Sequence, residues 1–576
     1  MDPKYDIIII GAGVAGALTA YKLCDKVKKD GTKPGILIIE AGENGLDDAQ
    51  RTVFRDSFIT SNGKGLSAPY FKLESLNFAS IPDAIKKNAP NNYYVQTGPD
   101  QFKATFHKLT GGTTWAWRGN CPRMVPADFQ LKSKYKIEGT EDWPFSYADI
   151  EPYYCQAEAE LGVAGNHDEW NGEQMAFRSQ PYPMDNIVQS YGDGKIKAAL
   201  DGATIEGKFL KVVSTPQARI SGKSNGVAIT EYDNGGKQDK RPACKGNANC
   251  IPLCPIGAKY DAGVHLKILK TKPNITIETG KVVSRIALDK NGDAKEVFFI
   301  DWKTGTTTET LVKADIIILA GNAIETPRLL LNSGLANSSG LVGCNLMDHL
   351  AGEVVGLFPE PVYPFRGPQG TSTIPAFLDH PLRSEKGSFN ITIGNDGWGR
   401  TEGPEVTLEN LLKTGVFGAE LITAFKNRIQ RQIRFSYSTE MLPRKENRIK
   451  LSAQKDALGI PRPEISFTLD EYTKATLEYA REVVKEIVMN IDGVKEVKPL
   501  LPEPAANYNT AGHIMGTTKM GNDPKTSVVD KFGRCWDHKN IWIVGSGVFP
   551  TGGAVNPTIT LAAVTLRTAD ELAKNI

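Results

Sequence analysis

The segment Tyr5–Gly16, YDIIIIGAGVAG, constrains the fold of this 576-residue chain more than any other stretch. Its four consecutive isoleucines, residues 7–10, are typical of a parallel strand that is buried on both faces. Gly11 permits a tight turn after the strand, Gly13 lets the backbone approach a pyrophosphate, and Gly16 allows the following helix to pack closely. The segment therefore predicts the strand, turn and helix of a dinucleotide-binding unit.

A second apolar strand, residues 35–40, ends in Glu40, which lies 24 residues after Gly16. A carboxylate at about this distance from the glycines binds ribose hydroxyls in dinucleotide-binding folds. The glycine pattern alone is a weak signal, but strand, helix and acid together favour a dinucleotide site. Because Glu40 is followed by Ala41 and Gly42, we expect FAD rather than NAD, with Val283 near the adenine end.

The rest of the strand material for such a unit is dispersed along the chain. Residues 314–320 form another buried apolar run, followed by a glycine turn and, after Pro327, a helix over Arg328–Asn332. Residues 274–288 alternate in the manner of strands. Residues 45–100 show no strong period, and we expect them to cover the cofactor as loops and short helices.

Composition narrows the class of protein. The chain is 40% hydrophobic and 23% charged, which is typical of a globular protein, and its formal net charge of +2 gives no reason to expect nucleic acid as a partner. No run of about eighteen apolar residues occurs, so no membrane span is expected. The N-terminal sequence lacks a signal-peptide pattern and most cysteines are scattered singly, so we expect a chain made in the cytoplasm.

Two glycine-rich segments are candidates for walls of the cofactor site. Residues 108–119, KLTGGTTWAWRG, pair glycines with small hydroxyl residues, which suits a backbone lying against a flat cofactor. A glycine turn beside two core tryptophans explains these residues equally well. Residues 541–560 predict a strand, a turn and a helix from Thr558 to Leu572, with Asn556 as its N-cap and Pro557 in its first position.

His513, one of only seven histidines, lies in a glycine-punctuated loop. Together with Asn556 it can hold a substrate hydroxyl, and the imidazole can accept the hydroxyl proton as a general base. Taken singly, an ordinary loop histidine and a helix cap explain the two residues. Beside a flavin, the pair predicts oxidation of an alcohol.

Three cysteines, Cys244, Cys250 and Cys254, fall within eleven residues. Thiolates separated by glycine and proline are the usual ligands of iron–sulfur clusters, and three of them suit a [3Fe–4S] cluster. A structural zinc would need a fourth ligand, for which His265 is the nearby candidate. The spacing alone leaves iron–sulfur, zinc and no metal open.

In their order along the chain, these motifs resemble those of the glucose–methanol–choline (GMC) oxidoreductases. The matching stretches are Gly11–Gly16, Gly111–Trp115, Ala320–Pro327, His513 and Val555–Pro557. Other stretches are similar to the FAD-binding catalytic subunits of bacterial glucose, fructose and gluconate dehydrogenases: Asp149–Tyr153, Cys250–Ala258, Asn345–His349 and Ser527–Asp530. The resemblance covers essentially the whole chain.

The resemblance implies an α/β fold, α+β overall, in which a Rossmann-like FAD-binding domain is interleaved with a substrate-binding domain built on an antiparallel sheet. Residues 1–45, 100–125, 240–350 and 525–576 would form the FAD-binding domain, with the cysteine loop, residues 244–258, inserted in it. Residues 126–239 and 351–524 would form the substrate-binding domain.

The resemblance also implies the roles of the site residues. His513 would be the catalytic base and Asn556 its partner, while Cys244, Cys250 and Cys254 would hold a [3Fe–4S] cluster. The residues expected to bind FAD are Gly11, Gly13, Gly16, Glu40, Gly111, Gly112, Thr113, Thr114, Trp115, Val283, Gly547, Asn556, Pro557 and Thr558. Where related subunits typically have a second cysteine this chain has Lys245, a departure that leaves the count of three cluster ligands intact. At Ala116 they have a histidine, so the identity of the substrate stays open.

The activity implied by the resemblance is an FAD-dependent dehydrogenase that oxidises a sugar or polyol hydroxyl by hydride transfer to flavin N5. Electrons would leave through the cluster to a partner protein or a quinone-like acceptor, since the sequence has no Cys-x-x-Cys-His haem motif. Related subunits pair with a small signal-bearing subunit and a cytochrome. With such partners the chain would act at the periplasmic face of the inner membrane, and otherwise in the cytoplasm.

Two alternatives to this activity remain. The first is a GMC oxidase, or a dehydrogenase of a non-sugar alcohol, in which the cluster is vestigial or structural. The second is a non-catalytic flavin and cluster protein that only relays electrons.

Overall fold

Two seven-stranded sheets, each with its own hydrophobic core, organise the computed structural model of the protein. The structure describes residues 4–42, 93–170, 175–231, 233–234, 237–238, 240–246, 250, 254–395, 402–500 and 508–576. Most of the segment expected to cover the cofactor, and residues 247–249 and 251–253 of the cysteine loop, lie outside these ranges.

The first sheet is centred on the strand Lys4–Ile10, which has parallel neighbours on both sides. Ile7–Ile10 and Ile36–Ile39 are buried, as the continuous apolar runs predict for strands covered on both faces. The parallel strands are Lys4–Ile10, Ile36–Glu40, Ile275–Thr279, Glu309–Leu319 and Ile541–Ile543, and the antiparallel extension is Lys281–Leu288 and Ala294–Asp301.

Helices cover one face of this sheet. Val14–Leu23 and Thr558–Leu572 pack against each other, and Tyr147–Leu161 packs on the outside of Thr558–Leu572. The Tyr154 hydroxyl lies 2.8 Å from the Thr560 hydroxyl across this last contact. The C-terminal helix is thus held between two others, which fixes the direction of its N-terminus.

The second sheet is antiparallel throughout and packs against the helix Glu471–Met489. Its core is rich in aromatic and β-branched residues, among them Phe389, Ile391 and Phe435, as expected for a half-buried pleated surface. Its strands are Val213–Ser214, Leu350–Leu357, Ser372–Ile374, Phe389–Ile393, Gln432–Thr439, Lys495–Pro499 and Asn509–Thr510.

Smaller elements connect the two sheets. The other helices are Leu131–Tyr135, Tyr191–Leu200, Gly263–Lys270, Asn322–Ser333, Gly403–Lys413 and Gly418–Ile429. Short 3₁₀ turns span Gly112–Trp115, Pro126–Phe129, Trp302–Thr304, Pro381–Ser384, Ser546–Val548 and Ala573–Asn575. The remaining strands are Val95–Gln96, Thr204–Ile205, Lys208–Phe209, Asp233–Asn234, Lys237–Gln238, Arg448–Lys455 and Pro461–Ser466.

The predicted α/β fold, with a parallel cofactor sheet and a second, antiparallel sheet, is confirmed. Strands of the first sheet fall within residues 4–40, 275–319 and 541–543, and those of the second within residues 213–214 and 350–510. The exact domain boundaries stay a prediction. Among the described residues, no helix has both the length and the apolar character needed to cross a membrane.

Candidate active site

A cavity of about 1010 Å³ lies between the two sheets, at the carboxyl ends of the parallel strands. Ligands of open parallel sheets bind at this edge. The volume reaches the top of the range of about 300–1,000 Å³ that is usual for small-molecule and cofactor sites. The cavity therefore has room for a large cofactor and a substrate together.

The glycines of the first turn form one wall of the cavity. Gly11 has a φ of +108°, and a Cβ there would lie 2.6 Å from the Ala320 carbonyl oxygen, so the neighbouring strand excludes any side chain. A Cβ on Gly16 would lie 2.0 Å from the Gly11 carbonyl oxygen. At Gly13 no described atom lies within 4 Å of the Cβ position, so this glycine leaves a gap that faces the cavity.

Glu40 closes the end of the glycine turn. One carboxylate oxygen accepts the Ala12 N–H at 2.7 Å, and the other accepts the Gly42 N–H at 2.7 Å. Burial raises the pKa of Glu40 to about 7, against the lowering effect of those N–H groups. Each oxygen keeps a second lone pair, so the side chain can still accept a ribose hydroxyl.

The segment around Gly111 and Gly112 forms a second wall. Gly111 has a φ of +101°, and its N–H donates to the Ala12 carbonyl at 3.1 Å, which ties this segment to the glycine turn. Trp115 is 3% exposed, and its indole N–H donates to the Thr110 carbonyl. Trp115 is thus a core residue that supports the glycine turn, whereas Trp117 is only partly buried and lines the cavity. Contact of this segment with a flat cofactor stays a prediction.

Most of the predicted cofactor and catalytic residues meet in this cavity. Those that line it are Gly11, Gly13, Glu40, Gly112, Thr113, Thr114, Val283, His513, Asn556, Pro557 and Thr558. Four others, Gly16, Gly111, Trp115 and Gly547, are not among the described lining residues. The open gap at Gly13, the Glu40 carboxylate and the N-terminus of the helix Thr558–Leu572 are features that fit FAD.

The side chains of His513 and Asn556 lie next to each other in the cavity. The His513 Nε2 lies 3.2 Å from the Asn556 amide nitrogen, Nδ2. Burial lowers the pKa of His513 well below its usual value, and the nearby His349 and Arg118 lower it further. The imidazole is therefore neutral at physiological pH, which is the state that a general base needs.

The predicted helix cap at Asn556 is wrong. The last helix begins at Thr558 with Pro557 in the N-cap position, and that position makes no side-chain capping bond. The Asn556 amide is directed instead to His513. A contact with His513 has therefore replaced the local capping role that the residue type favours.

The sequence interpretation missed a set of polar residues on the second sheet. These side chains line the cavity: Glu353, Asn390, Thr392, Ser436 and Ser438. They are cross-strand neighbours, since Asn390 pairs with Ser438 and Ser436 pairs with both Thr392 and Glu353. The alternation of polar and apolar residues in Phe389–Ile393 was the available signal, but it also describes an ordinary solvent-facing strand.

The three cysteines lie beside the second wall of the cavity. Cys250 and Cys254 are buried, and Cys244 is partly exposed. Burial raises the pKa of Cys250, and the nearby thiols of Cys254 and Cys244 contribute in the same direction. The Lys259 ammonium donates to the carbonyls of Cys250 and Trp115, both at 2.9 Å, and so joins the cysteine loop to the cavity wall.

His265 is not disposed to complete a zinc site. Its Nδ1 lies 2.8 Å from the Tyr260 hydroxyl, and its Nε2 lies 3.1 Å from a Glu160 carboxylate oxygen. Both ring nitrogens are thus engaged away from the cysteines. In the described part of the chain no three His, Cys, Asp or Glu side chains are grouped to hold a metal ion, and the [3Fe–4S] cluster stays a prediction.

Comparison with known proteins points in one direction. Two family profiles described as GMC oxidoreductase match residues 213–351 and 443–565. The fructose dehydrogenase large subunit of Gluconobacter japonicus is 33% identical over 591 residues, covering 99% of this chain and 98% of that protein. The gluconate 2-dehydrogenase flavoprotein of Pantoea cypripedii is 22% identical over 613 residues, covering 98% and 92% of the two chains.

A solved structure agrees at the level of the fold. The formate oxidase of Aspergillus oryzae, whose structure concerns its FAD, aligns with a TM-score of 0.63 and 15% identity, covering 100% of this chain and 99% of that one. The chain belongs to the GMC oxidoreductase family.

Proposed function

We propose that this FAD-dependent oxidoreductase of CH–OH groups acts on a sugar or related polyol, with His513 as the general base. The observation that carries the proposal is the polar surface of the second sheet, which faces the cavity that His513 and Asn556 also line. Carboxylate, amide and hydroxyl side chains offer several hydrogen bonds at once. Most of these groups already have a protein partner, such as Arg434 for Glu353 and the Ala554 carbonyl for Ser438, so a substrate with several hydroxyls would use the donor and acceptor positions that remain.

The chain's own residues would handle the proton. His513 is neutral and accepts the proton of the substrate hydroxyl, while the Asn556 amide, 3.2 Å from the imidazole, helps to hold the substrate oxygen. Arg118 lines the cavity, and its positive charge favours the negative charge that develops on that oxygen. FAD, when bound, supplies the acceptor for the hydride that leaves the carbon.

The proposal extends to a [3Fe–4S] cluster held by Cys244, Cys250 and Cys254. Three cysteines close in sequence support it, two of which, Cys254 and Cys244, lie near enough to Cys250 to raise its pKa, because iron in such clusters prefers sulfur ligands. The Lys259 contacts bring this loop next to the cofactor wall, which suits a one-electron carrier beside a flavin. The relative from Gluconobacter is a large subunit by name, which supports a further subunit here as well.

The electron acceptor would then be a partner protein such as a cytochrome, or a quinone-like molecule. A small subunit with an export signal would bring the chain to the periplasmic face of the inner membrane. Copurification of a haem protein with the chain expressed from its native operon tests the first point. Enzyme activity in whole cells with a membrane-impermeant dye acceptor tests the second.

The test of the substrate class is anaerobic reduction of the bound flavin by a panel of compounds. Sugars and polyols are expected to bleach the oxidised flavin absorbance, while simple primary alcohols of similar size do so far more slowly. Equal bleaching by the simple alcohols would reject the polyol assignment. Oxygen consumption at the rate of dye reduction would identify an oxidase, and an unchanged rate in the His513→Gln variant would identify a mere electron relay.

The cluster has its own test. Anaerobically purified protein is expected to contain iron, sulfide and the EPR signal of an oxidised [3Fe–4S] cluster. The signal should disappear in Cys254→Ser and persist in Cys155→Ser, in which a single buried cysteine outside the loop is replaced. Full iron content without that signal would contradict the proposed cluster type.

A further inference from the structure

A second histidine, His349, contacts His513 from the side away from the cavity. The two Nδ1 atoms lie 2.9 Å apart, and the rings are nearly perpendicular, at 86°. His349 is 0% exposed and is not among the described residues that line the cavity. Its other ring nitrogen, Nε2, lies 3.2 Å from the Gly552 carbonyl oxygen. His349 thus bridges the backbone and the proposed base without reaching the substrate.

The Gly552 carbonyl determines which ring nitrogens of His349 and His513 donate a hydrogen bond and which accept one. A carbonyl oxygen only accepts, so His349 must carry its proton on Nε2 and donate it to Gly552. Burial lowers the pKa of His349 to about 4, so the ring holds no second proton and its Nδ1 is an acceptor. The short contact between the two Nδ1 atoms then requires His513 to carry its own proton on Nδ1.

The contact of His513 with Asn556 agrees with this assignment of protons. The Asn556 amide nitrogen only donates, and it lies 3.2 Å from the His513 Nε2, so that Nε2 must be an acceptor. An imidazole with its proton on Nδ1 has its lone pair on Nε2. The Asn556 amide as it stands thus agrees with the tautomer that the Gly552 and His349 contacts require, in which the basic nitrogen of His513 is on the side of the cavity.

Asp348 holds the two histidines in register through their backbones. One of its carboxylate oxygens accepts the N–H of His349 at 2.8 Å and the N–H of His513 at 2.7 Å. Its other oxygen accepts the hydroxyl of Thr510, which ends the strand just before His513. The charged groups that act on the pair from other elements are Arg118, toward His513, and Glu440, toward His349.

Without His349, His513 could also adopt the tautomer with its proton on Nε2. If the acceptor were absent, His513 could place its proton on Nε2, and the Asn556 amide could rotate to present its oxygen to that proton. The base would then face the substrate with its nitrogen already protonated. The ring nitrogen that carries the proton is set by the hydrogen bond that the other nitrogen makes.

We propose that His349 is a positioning residue that fixes His513 in the tautomer with the proton on Nδ1 and the lone pair on Nε2. This inference rests on the proposed role of His513 as general base. Without His349 the base could adopt the wrong tautomer. A wrong tautomer at a general base lowers the catalysed rate by about 10²–10⁴-fold.

Two variants of His349 separate the tautomer from mere packing. His349→Leu fills the space without an acceptor. His349→Asn puts an amide oxygen at about the place of Nδ1, where it can accept the proton of His513 Nδ1. Both are compared with the wild-type holoenzyme for flavin reduction at saturating substrate and for the ¹⁵N signals of labelled histidine side chains, with His513→Gln identifying the signal of His513.

The wild-type spectrum is expected to show His513 protonated on Nδ1 and unprotonated on Nε2. His349→Leu should move the proton to Nε2 and slow flavin reduction at least about 10²-fold, while His349→Asn should retain the tautomer and most of the rate. A wild-type His513 protonated on Nε2 would overturn the inference even if the Leu variant failed to fold. A Leu variant with the wild-type tautomer would also overturn it.

The failure of the proposed function looks different. A full rate of flavin reduction in His513→Gln would remove His513 as the base and leave the spectrum of the wild-type protein unchanged. The two claims therefore fail on separate measurements.

Discussion

At the residue scale, burial sets the protonation of the groups around the proposed base. It lowers the pKa of His513 well below the usual value and that of His349 to about 4, and it raises the pKa of Asp348 to about 6. Near pH 7 both imidazoles are neutral and Asp348 is an anion that accepts three hydrogen bonds. Near neutral pH the proposed base is thus unprotonated, and the Asp348 carboxylate that binds both histidine backbones is mostly ionised.

The pH dependence of flavin reduction follows from these shifts. The neutral form of His513 is the active one, and a lowered pKa means that this form persists as the pH falls. The rate at saturating substrate should therefore stay level from pH 8 down through about 6.5, the usual pKa of histidine. Stopped-flow reduction across this range checks the prediction, and a loss of activity centred near pH 6.5 would contradict it. A loss that disappears in Asp348→Asn belongs instead to protonation of that carboxylate.

The candidate site residues could be predicted from the sequence where their residue type and local pattern are uncommon. A lone histidine in a glycine-rich loop, an Asn-Pro pair and a glycine turn after an apolar strand each narrow the options. Serine and threonine on the second sheet gave no such signal, because these residues are equally common on solvent-facing strands. His349 was visible as part of a matching stretch, but its contact with His513 depends on a fold that joins residues far apart in the chain.

At the scale of elements, the helix Asn322–Ser333 shows where local rules gave the wrong boundary. The sequence predicted a helix only after Pro327, yet the helix begins at Asn322 and contains the proline. Proline removes the N–H that would bond the carbonyl of Ala323, four residues earlier. The Thr517 hydroxyl donates to that carbonyl at 2.7 Å, so a residue from the segment beside His513 completes the helix.

Removing this hydroxyl should cost measurable stability. Thr517→Val leaves the buried Ala323 carbonyl without its donor, and we expect a loss of about 1–3 kcal/mol in the free energy of unfolding. Thr565→Val is the matched control, because Thr565 is equally buried and its hydroxyl has no partner among the described residues. Urea denaturation of the two variants compares them directly. An equal change in both would show that Thr517 does not support the helix.

At the scale of the whole molecule, buried ion pairs join the segments around the second sheet. Arg383 donates to Glu440 at 3.0 Å, at the end of a strand of that sheet, and also to Asp128. The Asp128 carbonyl accepts the hydroxyl of Thr551, close to the start of the last helix. All three charged side chains are at most 3% exposed. The network therefore holds the second sheet to the segment that ends in Asn556.

Breaking this network should destabilise the protein far more than breaking a surface pair. Arg383→Met leaves two buried carboxylates without their cation, and the expected loss is about 3–5 kcal/mol. Lys413→Met is the control, because it removes the partner of Glu409 from a pair whose side chains are 67% and 61% exposed, where no measurable change is expected. The measurement is the free energy of unfolding of the two variants. Similar losses in both would show that the buried network does not stabilise the protein more than a surface ion pair does.

The arrangement of the whole molecule was harder to predict from residues than its parts. Ile10 pairs with Leu319, and Leu319 with Ile543, so adjacent strands of the first sheet come from the two ends and the middle of the chain. Hydrophobic periodicity identifies each strand but says nothing of its neighbour. The resemblance to a known family supplied the interleaving that local patterns lacked. The placement of the cavity between the sheets came only from the structure.

The central claim is that His513 removes the hydroxyl proton of a polyol substrate as the flavin is reduced. The direct measurement is the anaerobic rate of flavin bleaching at saturating substrate in the wild type, in His513→Gln and in the control His538→Gln, each with its full complement of FAD. We expect the bleaching rate to fall by about 10²–10⁴-fold in His513→Gln and to stay unchanged in the control. A wild-type rate in His513→Gln would contradict it.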